Sequence, residues 1–393
     1  MVEKGKKLGF FSAFCVLIIA SVFNFESAAI NPALATIGAA FPGEPQWKLT
    51  FISTIPFITS IIFSTLCGKF VEKVNKKWLV VFALALYGIV GMMPGFVSDL
   101  NTILVLRLIT GIGVGLCMPI PAMIIAEHYA GEDLKKMNGR MNAVFNVANG
   151  LISICVGAVA ATNYRNAFYA FAFMLVVMVL VIIGCPDSKP TAKAQNTEKV
   201  NQPQEKVALP AKAVINFVYM FLVWIAFSCV LLSLANLNMA RGMVPMTAIG
   251  IFCALPGVFN AIAALAYPKM EKLRGFAGLA LIILALGLFL LGTAHGTASF
   301  VIACALIGFG HGLLVPYLTT NTAMNVPAAA RDKSLSLVQT GIHTGALIAT
   351  FVINALLANS PMADAYQFAY TLLAVLSLAG GIIFGLKGLA TKK

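Results

Sequence analysis

Stretches of about twenty apolar residues follow one another along the chain, each closed by a short polar break. A helix needs about 20 such residues to cross the hydrocarbon of a bilayer. The beat therefore predicts membrane helices over residues 8–33, 49–67, 78–97, 101–128, 140–162, 166–184, 213–237, 246–267, 276–294, 298–322, 334–357 and 366–386. That makes about twelve, six on each side of one long polar stretch, Pro186–Lys212, rich in Lys, Gln, Asn, Thr and Pro. The pattern divides the chain into 1–185, a linker at 186–212 with the composition of a mobile segment, and 213–393. The basic start, apolar core and Ala-Leu-Ala of the first 35 residues have the form of a signal peptide. The apolar run is long for that role and leads into Glu26, so it is assigned to the first helix.

The two halves echo each other. Gly113-Val-Gly-Leu-Cys-Met-Pro119 is matched by Gly310-His-Gly-Leu-Leu-Val-Pro316, an offset of 197. Glu72-Lys73 after the second segment has a partner in Glu271-Lys272 after the eighth, an offset of about 200. Two pseudo-symmetric six-helix bundles around a central cavity are the expected architecture, and an internal repeat of this size marks many secondary transporters.

Polar positions inside the apolar segments are few. Segments three, six, nine and twelve carry no ionisable residue in their interiors, which predicts that they face lipid. The others hold Asn24 and Glu26; Ser53, Thr54 and Thr59; Arg107 and Thr110; Asn142, Asn146 and Asn149; then Asn236, Asn260, His311, Gln339, His343 and Asn354. A charge near the bilayer centre costs roughly 2.5–3.5 kcal/mol on insertion scales, so Arg107 must face a partner or a cavity. Glu26 is the one carboxylate expected deep in a helix, at a depth similar to that of Arg107. A carboxylate that alternates between Arg107 and a proton couples transport to a proton gradient; a static pair joining the first and fourth helices is the plainer reading. Asn142, Asn146 and Asn149 share a helical face and serve either a substrate or helix packing. Trp224 and Phe227 suit stacking on a ligand as well as they suit a core or lipid contact.

Composition sets the class. The chain has 393 residues, 60% hydrophobic and 10% charged, which excludes a soluble domain and marks a polytopic membrane protein. The net charge of +13 does not indicate nucleic acid. By position, 23 of the 27 Lys and Arg residues fall in the tails and in alternate loops. That asymmetry predicts an even number of spans with both termini cytoplasmic, in a bacterial plasma or inner membrane. The eight cysteines are scattered singly, with no metal or CxxC spacing. No nucleotide-binding loop, H-E-x-x-H or G-x-S-x-G occurs. No cofactor, metal or catalytic residue is expected, and an enzyme is a remote alternative.

These features resemble the major facilitator superfamily over nearly the whole chain. The family's loop between helices 2 and 3, G-x-x-x-D-R-x-G-R-R/K, is matched by Gly68-Lys-Phe-Val-Glu72-Lys73-Val-Asn75-Lys76-Lys77. Glu stands for Asp, Lys for Arg and Asn for the second Gly. Arg107 with Gly111–Gly115 is similar to the helix 4 motif, and Tyr164-Arg165-Asn-Ala-Phe168 to W-R-x-x-F after helix 5. Gly150–Gly157 lacks the proline of the antiporters' helix 5 motif. The resemblance implies alternating access by two bundles, with Gly68, Glu72, Lys73, Lys76, Arg331 and Asp332 in a cytoplasmic latch. It also adds weight to a proton-coupling role for Glu26 and Arg107. The expected substrate cavity is lined by Asn24, Asn142, Asn146, Asn149, Trp224, Asn236, His311, Gln339 and His343. The expected activity is proton-coupled efflux of a small apolar or amphipathic compound by a monomer in the lipid bilayer. Proton-coupled uptake of a small organic anion, anchored by Arg107, is the alternative.

Overall fold

A computed structural model describes residues 7–22, 25–129, 131–187, 210–327 and 330–390. Among these residues every regular element is a helix. The first span, α1, has two pieces, Phe10–Val22 and Phe25–Ala40. The others are α2 (Gln46–Lys73), α3 (Lys76–Phe96), α4 (Leu100–His128), α5 (Gly131–Ala160), α6 (Arg165–Gly184), α7 (Ala211–Arg241), α8 (Met246–Met270), α9 (Phe276–Gly292), α10 (Thr297–Asn325), α11 (Arg331–Ala358) and α12 (Ala365–Ala390). Nine helices among the described residues are long and apolar enough to cross a membrane, and the broken α1 makes ten. The apolar part of α5, Val147–Ala160, and all of α9 are shorter apolar helices, which complete the twelve.

Local chemistry sets the helix ends. Asn75 caps α3 by accepting the amide of Lys77, and Asp99 caps α4 by accepting the amide of Thr102 at 2.8 Å. Each satisfies an amide that the first turn leaves without a partner. Gly242 ends α7 with φ 62°, and Gly275 precedes α9 with φ 69°, conformations that cost a side-chained residue energy. The first helix runs to Ala40, beyond the expected 33, and α5 begins at Gly131, before the expected 140. Apolarity locates the part of a helix in hydrocarbon, but the backbone ladder continues into polar turns outside it.

The contacts divide the chain into two compact units, Met1–Glu44 with Phe51–Pro203, and Pro45–Thr50 with Gln204–Lys393. In the first, α4 packs on α2 and α3, α3 on α6, and α1 on α5. In the second, α10 packs on α8 and α9, α9 on α12, and α7 on α11. The two schemes are the same with six added to each helix number.

The glycines of the sequence echo, together with Gly111 and Gly308 at the same offset just before it, explain the match. A Cβ on Gly111 would overlap the Pro56 carbonyl, and one on Gly308 the Pro256 carbonyl. Gly115 lies against Ser60 and Gly312 against Asn260; Gly113 faces the Ala83 carbonyl and Gly310 that of Ala280. Small residues let helix backbones approach without a side chain between them, and here the same three positions do so in each unit.

The helices expected to face lipid do present exposed apolar side chains: Phe82 and Ile89 on α3, Val176 and Ile183 on α6, Leu286 and Phe289 on α9, Leu376 and Ile383 on α12. So do α5, through Val147 and Leu151, and α8, through Ile262 and Leu265. Polarity of the interior does not by itself sort the helices, because α5 and α8 contain interior asparagines and still carry exposed apolar side chains. Conversely, α3 buries Tyr87 and α9 buries Leu284, Leu288 and Leu291.

Candidate functional site

Arg107 is the largest fully buried side chain among the described residues, and Glu26 is 1% exposed. They form an ion pair through Arg107 Nη2 and Glu26 Oε2. Glu26 sits in the first turn of the second piece of α1, where a negative charge is favoured by the helix dipole. Arg107 comes from the middle of α4, and its Nε donates to the carbonyl of Ile52 at 3.2 Å. That carbonyl is available for a covalent reason. Its helical donor would be the amide of residue 56, which is Pro56 and has no N–H. The proline that interrupts α2 thus supplies the arginine with an acceptor.

Aromatic rings surround the pair. The Arg107 guanidinium carbon lies 4.9 Å from the centroid of Phe171 on α6, within cation–π range. Phe25, Tyr87 and Phe171 contact one another edge to face, at centroid distances of 5.0–6.3 Å. Beside them Ser53 donates to Asn31 at 2.6 Å, and Thr59 donates to the Leu108 carbonyl at 2.6 Å. Two opposite charges in a low-dielectric surrounding attract strongly, but each has lost its hydration. The pair holds only while both partners are charged and in register.

The second unit builds a different centre on the matching helices. At the position equivalent to Arg107, 197 residues on, stands the buried Cys304. The polar group lies elsewhere on α10. His311 is buried and shares a hydrogen bond of 2.7 Å between its Nδ1 and Asn260 Nδ2. With the Asn260 amide donating, Nδ1 accepts and Nε2 carries the proton. The imidazole stacks on Phe227 at 3.9 Å and meets Trp224 edge to face at 4.9 Å. Neither His311 Nε2 nor Trp224 Nε1 has a hydrogen-bond partner among the described residues. Asn260 and Phe227 belong with His311 and Trp224; the sequence marked Phe227 as a stacking candidate and Asn260 as an interior polar residue without joining either to His311. The spacing of 256 and 260 to 308 and 312, one turn on each helix, was the signal available.

The remaining expected residues are placed as follows. Asn149, Asn236 and His343 are half-buried. Asn24 lies outside the described residues, as do the side chains of Asn142, Asn146, Gln339, Arg331 and Asp332. At the basic end of the first unit Glu72 and Lys73 are exposed, and Gly68 has open space beside it. Lys76, expected in the cytoplasmic latch, is buried and paired with Glu127 at the end of α4. Glu127 escaped sequence reasoning because a carboxylate at a helix end looks like an ordinary solvated charge. The buried bonds of Asn31 to Ser53, Asn216 to Thr322 and Ser233 to Tyr370 were likewise not anticipated.

Two further arginines, one in each unit, act as helix caps. Arg165 donates to the Gly95 carbonyl in the last turn of α3 and to Ser98 Oγ just beyond it. Arg241 donates to the carbonyls of Leu291, Gly292 and Ala294 at the end of α9 and to Asp364. A cation there satisfies carbonyls the last turn leaves open. Among the described residues no group of three or more His, Cys, Asp or Glu is placed to hold a metal.

Comparison with known proteins gives a consistent result. The family model of the Major Facilitator Superfamily matches residues 10–350. The multidrug transporter protein MdtP of Bacillus subtilis is 22% identical over 169 residues, 42% of this chain and 31% of that protein. The quinolone resistance protein NorA of Staphylococcus aureus is 25% identical over 144 residues, 36% of this chain and 37% of NorA. The matched stretch thus spans about a third of either relative. An uncharacterized MFS-type transporter, MJ1560 of Methanocaldococcus jannaschii, is 21% identical over 79% of this chain and 81% of its own. Among solved structures, a D-xylose–proton symporter superposes with TM-score 0.74 at 16% identity, covering 95% of this chain and 97% of that one. A peptide transporter POT in complex with sulfate gives 0.74 at 14% identity, covering 97% and 96%.

Proposed function

The chain belongs to the major facilitator superfamily and is a multi-pass membrane transporter rather than an enzyme; on that premise we propose that it exports small apolar or amphipathic compounds in exchange for protons. The observation that carries the reading is the sealed Glu26–Arg107 pair. A buried ion pair often contributes little net stability against an apolar replacement, so its presence in the first unit, where the second unit keeps Cys304, calls for a role beyond packing.

The pair is suited to binding one proton per cycle. A proton added to the Glu26 carboxylate cancels its charge and removes the partner of Arg107. The guanidinium keeps its charge and retains the Ile52 carbonyl and the Phe171 ring. That leaves a buried cation with less compensation, an arrangement that favours a rearrangement of the first unit. Loss of the proton restores the pair. Protonation and conformation are thereby linked, which alternating access requires of a coupled carrier.

The second unit supports recognition of the cargo. Trp224, Phe227, His311 and Asn260 offer ring faces and N–H groups without a fixed charge, which suits a neutral or weakly polar aromatic compound better than an ion. The names of MdtP and NorA, a multidrug transporter and a quinolone resistance protein, agree with export of such compounds. Uptake of an organic anion at Arg107 is disfavoured, since that guanidinium is already held by Glu26, the Ile52 carbonyl and Phe171. The excess of Lys and Arg in alternate loops supports a reading in which both termini are cytoplasmic and the protein sits in the plasma membrane. In this reading Glu72 and Lys73, exposed at the end of α2, belong to the cytoplasmic latch that the family resemblance implies.

The test is transport in inside-out vesicles with an imposed pH gradient and a panel of fluorescent amphipathic compounds. Accumulation that depends on an acidic interior, and that disappears in Glu26→Gln, is the expected result. Accumulation that ignores the gradient, or survives that substitution, refutes the coupling.

A further inference from the structure

A second polar pocket lies in the first unit, away from the ion pair. It has a volume of about 270 Å³ and is lined by Lys7, Leu8, Tyr129, Asp133, Lys136, Met137 and Arg140. These residues come from the start of α1, the end of α4 and the first turns of α5. Three cations face one carboxylate. Lys7 Nζ lies 2.7 Å from Asp133. A hydrogen bond from Lys7, with its charge and those of Lys136 and Arg140, holds the Asp133 carboxyl below its usual range. Among the described residues Lys136 and Arg140 have no carboxylate of their own, and both are exposed.

We infer that this pocket binds the phosphate of an anionic phospholipid. A guanidinium and two ammonium groups converging on one small pocket match a phosphodiester, which accepts several charge-assisted hydrogen bonds. Basic pockets between helices at the membrane's cytoplasmic side are sites of this kind. The volume falls below the ~300–1,000 Å³ common for drug-sized ligands, so a headgroup fits better than a transported compound.

The apolar surroundings identify the source of the phosphate as a lipid. Phe10, Phe11 and Phe14 are exposed on α1 just beyond Leu8, and Val147, Leu151 and Ile154 are exposed on α5 beyond Arg140. Both helices lead away from the pocket with uncovered hydrocarbon side chains, where acyl chains would lie. The headgroup would also bridge the start of α1 to α5, reinforcing the contact that Lys7 and Asp133 make.

The experiment compares thermal unfolding of the full-length protein in nanodiscs of phosphatidylcholine alone and with three parts in ten of phosphatidylglycerol. Phosphatidylglycerol raises the melting temperature of the wild type, and Lys136→Gln/Arg140→Gln loses at least half of that rise. The control Lys69→Gln/Lys272→Gln, which removes the same charge outside the pocket, keeps it. Lys136→Arg/Arg140→Lys keeps it as well. Circular dichroism in phosphatidylcholine discs checks that each variant is folded. An equal rise in the pocket variant and the wild type overturns the assignment. So does an equal rise from millimolar inorganic phosphate in discs lacking phosphatidylglycerol, which would assign the pocket to the free ion.

Discussion

Helices α4 and α10 occupy matching places in their units, and the same glycine positions set their distances to α2 and α8, and to α3 and α9. What they carry is different. On α4 the buried polar group is a permanent cation balanced by a carboxylate. On α10 it is an imidazole held by an amide and two aromatic rings. A repeated scaffold fixes helix spacing through backbone contacts that involve no side-chain chemistry. The side chains that face inward are then free to diverge, one unit toward charge and the other toward aromatic recognition.

The contrast breaks most sharply at Arg107. Arg107→Met leaves the Glu26 carboxylate buried without its partner and destabilises the protein by about 3–5 kcal/mol, read as a fall in melting temperature of detergent-solubilised protein. Glu26→Gln/Arg107→Met recovers most of that loss, because no charge then remains unpaired. Equal loss in the single and double variants would show that packing, not charge, dominates the centre.

Glu26→Gln tests what the charge does. Transport driven by a pH gradient falls by about a hundredfold, within the ~10²–10⁴-fold typical of a group that moves a proton, while binding of the cargo is retained. Binding lost in parallel with transport would make Glu26 part of the cargo site instead.

The shared scaffold predicts equal penalties. Gly111→Ala and Gly308→Ala each place a methyl group on a proline's carbonyl oxygen and cost about 1–3 kcal/mol by overpacking. A large effect in one unit and none in the other would break the equivalence of the two packings.

His311→Phe sharpens the other side of the comparison. It keeps the stack on Phe227 but removes the bond to Asn260, and it raises the apparent KM for hydrogen-bonding cargo about tenfold, the ~1.4 kcal/mol typical of a single neutral hydrogen bond. Purely apolar cargo is unaffected. The pH dependence of gradient-driven transport stays with Glu26 and does not follow this substitution.

Much of the fold was legible in the chain because bilayer thickness fixes the length of an apolar run, and a backbone in hydrocarbon must satisfy its own hydrogen bonds. Twelve helices follow from that alone. The glycine echo at an offset of 197 likewise marked the packing positions, since only residues without side chains permit backbone contact. Less was legible at the centres. Sequence placed Glu26 and Arg107 at similar depth, but the Ile52 carbonyl could be found only by asking which acceptor Pro56 releases. The loop motif marked Lys76 as a latch residue, but its pairing with Glu127 depends on where packing brings the end of α4.

By itself the sequence determined the class of molecule, the number and order of its spans and the expense of its buried charges, because those depend on local composition and on the solvent around each segment. The tertiary structure decided which groups meet: Glu26 with Arg107, Asn260 with His311, Lys76 with Glu127. Partners 51 to 81 residues apart in the chain are joined by helix packing, and only the packed helices bring them within a few ångströms.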